Sequence, residues 1–215
     1  MARVLLRSLA VLALVGVAGC ASNPPVRRVW VGPRVDLHPY ETIGMVQFTT
    51  TSKGELAAMS TRRFAEASRR DQDMLRMVEV GTQDQALASA GKSQWSPEAC
   101  RAIARKHGLK SIFQGTLTIS KVRPAVQLSA MFRSGQVTAT VDATLEVQMI
   151  EAETGASIWS RSASATRSMG QVSVYGGREF SFDAADPDAA YGELVDALVS
   201  QVTRDFQGSW QTQSP

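Results

Sequence analysis

Residues 136–150, QVTATVDATLEVQMI, decide the fold. Val137, Ala139, Val141, Ala143, Leu145, Val147 and Met149 fall on one side of an extended chain, and Thr138, Thr140, Asp142, Thr144, Glu146 and Gln148 fall on the other. Strict period-two order describes an antiparallel strand with one dry and one wet face. The segment before it, Lys110 to Val122, repeats the pattern: Phe113, Leu117 and Ile119 oppose Gln114, Thr116, Thr118 and Ser120, with Gly115 among them. After it, EAETG at 151–155 makes a turn into a third strand, Ala156 to Arg167, and VSVYGGREFSF suggests a small hairpin around Gly176 and Gly177.

Working outward, Ile43 to Phe48, IGMVQF, is a near-continuous apolar run, as expected of a strand covered on both faces. In Gly54 to Asp71, Leu56, Met59, Phe64 and Ala67 share a face and Arg62, Arg63, Arg69 and Arg70 project elsewhere, which predicts an amphipathic helix. Leu75 to Val80 reads as a strand, and Gln83 to Ala90 and Pro97 to His107 as helices. The latter has Ser96 as N-cap, Pro97 in its first position and Gly108 at its end. Asp186 and Pro187 start a last helix, striped by Tyr191, Leu194, Val195, Leu198, Val199, Val202 and Phe206. The expectation is an α/β (α+β) domain, a mixed sheet of about five strands with helices packed on it, in the order β-α-β-α-α-β-β-β-α.

The N-terminal end carries a different signal. Arg3 and Arg7 precede an apolar run from Leu9 to Val17 that stops at small residues, the layout of a secretory signal. The run is too short to cross a bilayer, which takes about 20 apolar residues. Val17, Ala18 and Gly19 before Cys20 resemble the bacterial lipobox, which implies cleavage between Gly19 and Cys20 and acylation of the Cys20 thiol, with a diacylglycerol and further fatty acid such as palmitate. Ala21 stands where an inner-membrane lipoprotein of that pattern carries aspartate, so the resemblance implies an outer-membrane address with the domain in the periplasm. The expected division is 1–19 signal peptide, 20–40 lipidated cysteine and tether with Pro24, Pro25, Pro33 and Pro39, 41–208 a single domain, and 209–215 a flexible tail.

Charge and chemistry narrow the function. Removing residues 1–19 takes away Arg3 and Arg7 from 23 Lys+Arg against 20 Asp+Glu, so the mature chain is nearly neutral and offers no electrostatic case for nucleic acid. With Cys20 acylated, Cys100 is the remaining thiol, and it reads as a small buried residue on a helix. His38 lies in the tether, and His107 sits in the last turn of a helix, where the helix dipole favours a cation. No HExxH, nucleophile elbow or CxxC pattern occurs. SAGKS at 89–93 ends like a phosphate loop, but Ala86 occupies its first glycine position and a helix end at Gly91 is the better reading. Ser89 to Lys92 gives S-x-x-K without the S-D-N or K-T-G that accompany it in penicillin-binding enzymes. The expectation is no enzyme, no metal and no cofactor. Trp95 and Trp210 are the aromatics considered for glycan stacking, with structural use as the default.

Three segments resemble the CsgG, LpoB and TolB amino-terminal-domain group of envelope proteins. IGMVQF is similar to the V-A-V-L-P-F-like opening strand, HGLKSIFQGTL to G-A-D-x-x-x-x-G-x-x, and MIEAETGASIWS to L-V-D-V-E-T-G-E-V-V-W-S. In the last, Glu153, Thr154, Gly155, Trp159 and Ser160 match, while Glu151 and Ala156 depart. These motifs are structural: Thr154 and Gly155 close a turn, Gly115 lets a helix approach the sheet, and Trp159 covers an edge of the core. The resemblance implies a membrane-anchored, non-enzymatic accessory module that binds an envelope partner, such as a peptidoglycan synthase (as LpoB-type activators do) or an assembly machine. Its alternative is a subunit of a CsgG-like secretion channel, with AVQLSAMFRSGQ and SVYGGREFSF as candidate membrane hairpins; homo-oligomerisation is open under either.

Overall fold

The computed structural model describes residues 27–51, 55–72, 74–120, 123–127, 136–169 and 187–213. Within Gly32–Gly208 it forms a mixed seven-stranded sheet. In chain order the elements of this unit are β2 (Thr42–Val46), β3 (Thr49–Thr50), α1 (Leu56–Arg69), β4 (Arg76–Gly81), α2 (Gln83–Ser89), α3 (Pro97–His107), β5 (Ser111–Ile119), β6 (Arg123–Gln127), β7 (Gln136–Glu151), β8 (Ser157–Met169) and α4 (Pro187–Val202). The strand order is β4-β2-β5-β7-β6, with β3 beside β5 and β8 beside β7. The expected mixed α+β architecture is present. Two strands go beyond the five expected, the two-residue β3 and β6, which overlaps the first three residues of the candidate membrane hairpin AVQLSAMFRSGQ; residues 128–135 of that stretch lie outside the described residues.

The sheet has two halves of different character. β2 pairs in parallel with β4 and β5, whereas β7 pairs antiparallel with β5, β6 and β8. Neighbouring residues of a strand point to opposite faces, and here they enter two separate cores. Met45, Phe113 and Met149 join one core with Phe48, Phe64, Leu145 and Phe206; Val46, Ile112 and Ile150 join the other with Val80, Leu87, Cys100 and Ile103. α1 and α4 therefore cover one face, and α2 and α3 cover the other over the parallel half. From Phe113 onward the strands bury alternate residues only: Val141, Ala143, Leu145, Val147 and Met149 are all buried, and the residues between them are not.

The first core is built on phenylalanine edges. Phe64 lies 5.2 Å from Phe113, and Phe113 lies 5.7 Å from Phe206, both edge to face, the arrangement in which ring quadrupoles attract. α1 and α4 are joined by Arg63, whose Nη1 donates to the Gly192 carbonyl at 2.6 Å and meets Asp196 Oδ1 at 2.8 Å. The α3 signals act as expected. Ser96 Oγ accepts from the Ala99 amide at 3.2 Å, and the helix ends at Gly108 in the left-handed region. α2 begins with a capping box between Thr82 and Gln85 and ends before Gly91, so SAGKS is a helix C-terminus and no phosphate loop.

Residues 33–40 of the expected tether pack on the domain. Leu37 is fully buried, and Gln72, itself buried at the end of α1, holds the segment around it. Gln72 Nε2 donates to the carbonyls of Val35 at 2.9 Å and Phe206 at 3.0 Å, and its Oε1 accepts from the Leu37 amide at 2.9 Å. One amide thus satisfies three backbone groups that no helix or sheet ladder serves, which is why residues 33–40 belong to the domain. Arg27–Val31, also in the expected tether, is strand β1, and it pairs antiparallel with β9 (Ser209–Gln213), which occupies most of the expected tail. These two form a separate ribbon. Cys20, Asp186 and the hairpin around Gly176 and Gly177 lie outside the described residues.

Replacing the Gln72 amide by an apolar group of similar size leaves three backbone groups unpaired, those of Leu37 and Phe206 buried and that of Val35 partly so, at about 1–3 kcal/mol for each buried one. Gln72→Leu is expected to lower stability by about 3 kcal/mol or more, read as a fall in thermal midpoint of roughly 6–12 °C. Gln72→Glu, which keeps the acceptor and loses the donors, should also destabilise.

Candidate functional site

Where α2 and α3 end, the second face of the sheet is left bare, and the antiparallel half presents its wet side to solvent. The residues that alternate with the buried ones supply it. Gln114 and Thr116 come from β5, Thr144, Glu146 and Gln148 from β7, and Ser160, Ser162 and Ser164 from β8. Register sets them in rows across the strands: Gln114 opposite Gln148 and Gln148 opposite Ser160, Thr116 opposite Glu146 and Glu146 opposite Ser162. Hydroxyls bridge the rows. Thr49 and Thr116 are joined at 2.9 Å, Thr144 and Ser164 at 2.9 Å, and Thr166 donates to Asp142 at 2.7 Å.

Against the helices this shelf deepens into a cavity of about 520 Å³, lined by Gln47, Gln83, Trp95, Gln114, Gln148 and Ser160 among others. Its lining is chiefly amide and hydroxyl with one wall of indole, and Glu146 and Arg161 add one charge of each sign. Glu146 is exposed on the shelf and forms no ion pair with another described residue. Such a surface can donate and accept many uncharged hydrogen bonds, and among the described residues no group of three or more His, Cys, Asp or Glu could hold a metal ion. A second cavity, about 660 Å³, lies between Tyr40, Arg101, Arg105, Lys110 and Glu153, with charges of both signs.

The underside of the shelf is held stiff. Gly115 sits where a Cβ would fall 2.9 Å from the Glu146 carbonyl oxygen and 3.0 Å from the Phe48 ring, so the close neighbour is that ring and the adjoining strand, where a helix was expected. Trp159 packs 4.5 Å from Phe206 and 6.0 Å from Phe113, and its Nε1 donates to Asp205 Oδ2 at 3.2 Å. Arg161 Nη1 meets the same oxygen at 2.5 Å. Burial works to raise the Asp205 carboxyl, but the hydrogen bonds from Arg161 and Trp159 and the charges of Arg161 and Arg34 outweigh it, so the group lies below its ordinary value. Gly155, at φ 75°, closes the turn between β7 and β8, and a Cβ there would fall 2.6 Å from Pro97 Cβ, so the turn is seated on the start of α3.

The residues singled out for chemistry do not converge. Cys20 and Gly19 lie outside the described residues. Cys100 is buried on α3, and burial pushes its thiol up to about 11, far from a reactive thiolate. His38 is exposed and bonded to Asp36 at 2.7 Å, whereas His107 lies at the end of α3. Trp95, considered as an exposed aromatic, packs on the second core while lining the shelf cavity. The β8 part of the shelf and the Trp95 wall were not anticipated; alternate serines in SIWSRSASATRS are the signal for the former.

No family model matches the chain, and no curated protein matches it. Solved structures with a similar arrangement include the PelC dodecamer from Paraburkholderia phytofirmans, with 15% identity, TM-score 0.41, and coverage of 85% of this chain and 96% of that one. The lipoprotein GNA1162 from Neisseria meningitidis is similar at 15% identity and TM-score 0.38, covering 74% of this chain and 96% of that one. The LpoB C-terminal domain from Escherichia coli is similar at 18% identity and TM-score 0.36, covering 58% and 82%. At scores below 0.5 none of them assigns a residue or a role to this chain.

Because the Asp205 carboxyl is depressed in the folded chain, its stabilisation is present above the ordinary carboxylate pKa and is lost as pH falls below about 4 toward the lowered value. Asp205→Asn should cost about 1–3 kcal/mol at neutral pH, since Arg161 and Trp159 then donate to a neutral amide oxygen in place of a carboxylate. The difference from the parent, measured by thermal unfolding across pH, should shrink in acid. Substitutions of exposed shelf side chains, Thr116→Ala or Ser162→Ala, should change stability by no more than about 0.5 kcal/mol, so that binding effects can be read separately.

Proposed function

We propose that this chain is an envelope lipoprotein, held at an outer membrane by acyl chains on Cys20, whose mixed-sheet domain works by binding another protein and carries out no reaction itself. The observation that carries the reading is the shelf: a broad polar sheet face of amides and hydroxyls with few charges, whose side chains from β5, β7 and β8 are exposed or half-buried. A surface of this kind suits reversible association, in which the contact is about as polar as the rest of the protein and bridged by hydrogen bonds. The signal layout before Cys20 supports the membrane address. The match of MIEAETGASIWS and its two companion segments supports the more specific reading, an LpoB-like activator of peptidoglycan synthesis.

Most of AVQLSAMFRSGQ and all of SVYGGREFSF, the candidate membrane hairpins of the channel alternative, lie outside the described residues, and the described strands β7 and β8 add no membrane strand to it. A membrane strand needs about 9–11 alternating residues with an apolar band facing lipid. In β7 and β8 the apolar side is already consumed: from Val141 to Met149 it is buried beneath α4 and its neighbours, and the other side is hydroxyl, amide and the carboxylates of Asp142 and Glu146. No helix among the described residues is long and apolar enough to cross a membrane, which says nothing of strands. Acyl chains would then supply the attachment, at roughly 0.8 kcal/mol per buried methylene.

Metabolic labelling with an alkyne fatty acid should mark the parent and not Cys20→Ala; an unlabelled parent rejects the anchor. Crosslinked envelopes should return a synthase or an assembly complex with the chain. Recovery of nothing but abundant outer-membrane lipoproteins would count against the accessory role.

A further inference from the structure

The β1–β9 ribbon has no core of its own. A two-stranded sheet is marginal in water without another layer to pack on, and every residue of β1 is exposed save Val29, which is half-buried. Alternation sets Arg28 and Trp30 of β1 on one face with Trp210 and Thr212 of β9, their register partners. Trp30 and Trp210 stand directly opposite each other with ring centroids 5.4 Å apart, tilted by 60°. They touch, yet remain 45% and 66% exposed. The ribbon also holds Arg27 and Arg28 and no Asp or Glu.

Its place in the chain matters. Six residues, Ala21 to Val26, separate Cys20 from Arg27, and the seven steps between the two Cα atoms, at about 3.5 Å each, reach no more than about 25 Å. If Cys20 carries acyl chains, the ribbon is confined within that distance of a lipid headgroup layer. Tryptophan concentrates in that layer because its ring is apolar while its N–H needs a wet partner. Arginines beside it are drawn to anionic headgroups.

We infer that the Trp30–Trp210 ribbon is a membrane-interface foot, seated among anionic phospholipid headgroups beside the anchor. The inference rests on the proposed acylation of Cys20. The acyl chains fix how far the ribbon can stray from the bilayer; the paired rings and Arg28, which share one face, fix which side of the ribbon meets it, and Arg27 adds its charge from the edge of the same strand. Since β9 pairs with β1, the foot brings the segment that follows α4 to the same surface as the anchor.

The test uses the full chain, expressed with its signal and reconstituted into vesicles of phosphatidylethanolamine and phosphatidylglycerol, with and without brominated acyl chains. The emission of Trp30 and Trp210, taken as the difference between the parent and Trp30→Phe/Trp210→Phe, should be quenched by the brominated lipid. The residual emission of Trp95 and Trp159 in the double variant should not be. In the acyl-free Cys20→Ala chain, binding to anionic vesicles should weaken roughly fivefold for each charge removed by Arg27→Gln and Arg28→Gln, and vesicles of neutral lipid should show no such dependence. Unquenched rings in a chain that floats with the vesicles would overturn the foot and leave the anchor standing. A Cys20→Ala chain that floats as well as the parent, with its rings quenched, would overturn the anchor and leave the foot. Rings that stay unquenched while the chain dimerises until both tryptophans are replaced would assign the ribbon to a second copy, against the inference.

Discussion

A strand whose side chains alternate strictly can be dry on one face only, and β7 imposes that constraint on everything around it. Its apolar residues from Val141 to Met149 must be covered, and α1 and α4 cover them with the Phe64, Phe113 and Phe206 cluster. Its polar residues would each lose water, and many would lose hydrogen bonds, if a helix were laid on them. The helices of the second face therefore stop at the parallel half, where β2 and the start of β5 bury both sides. The shelf is the part of the sheet that cannot be closed.

An uncovered sheet face is useful only if it holds its shape. The interactions beneath it do that: Trp159 and Arg161 on β8 meet the carboxylate of Asp205, and Gly115 brings Phe48 and β7 against β5 closer than any side chain would allow. On the far side of the same core, Gln72 fastens Val35, Leu37 and Phe206. The hydrogen bonds of this core thus run between segments distant in sequence, and they converge on the residues after α4. Cooperative stability and a preorganised binding face are then one property, since association loses less entropy when the surface is already fixed.

What could be read from the residues alone was what depends on neighbours in sequence. The α3 cap at Ser96, its end at Gly108, the Gly155 turn and the β7 alternation each rest on a few adjacent positions, and each stands in the structure as read. The polar row of β7 was visible too, although its continuation onto β8 was not drawn. The misses are contacts between distant segments. Nothing near Gly115 says that its close neighbour is Phe48, and nothing near Trp95 says that the indole lies between a core and a cavity. Trp30 and Trp210 touch but come from strands far apart in sequence, so a proline-containing stretch and a polar tail each looked unstructured when taken singly. Leu37 was hidden for the same reason: its burial depends on Gln72, a polar residue with no apolar period to mark it.

The account centres on the shelf as the working surface. A photocrosslinking amino acid placed in living cells at Thr116 or Ser162, and for comparison at Glu66 on the exposed side of α1, tests that claim most directly. The account predicts discrete protein adducts from the two shelf positions and none from Glu66. Adducts from Glu66 with none from Thr116 or Ser162 would contradict it.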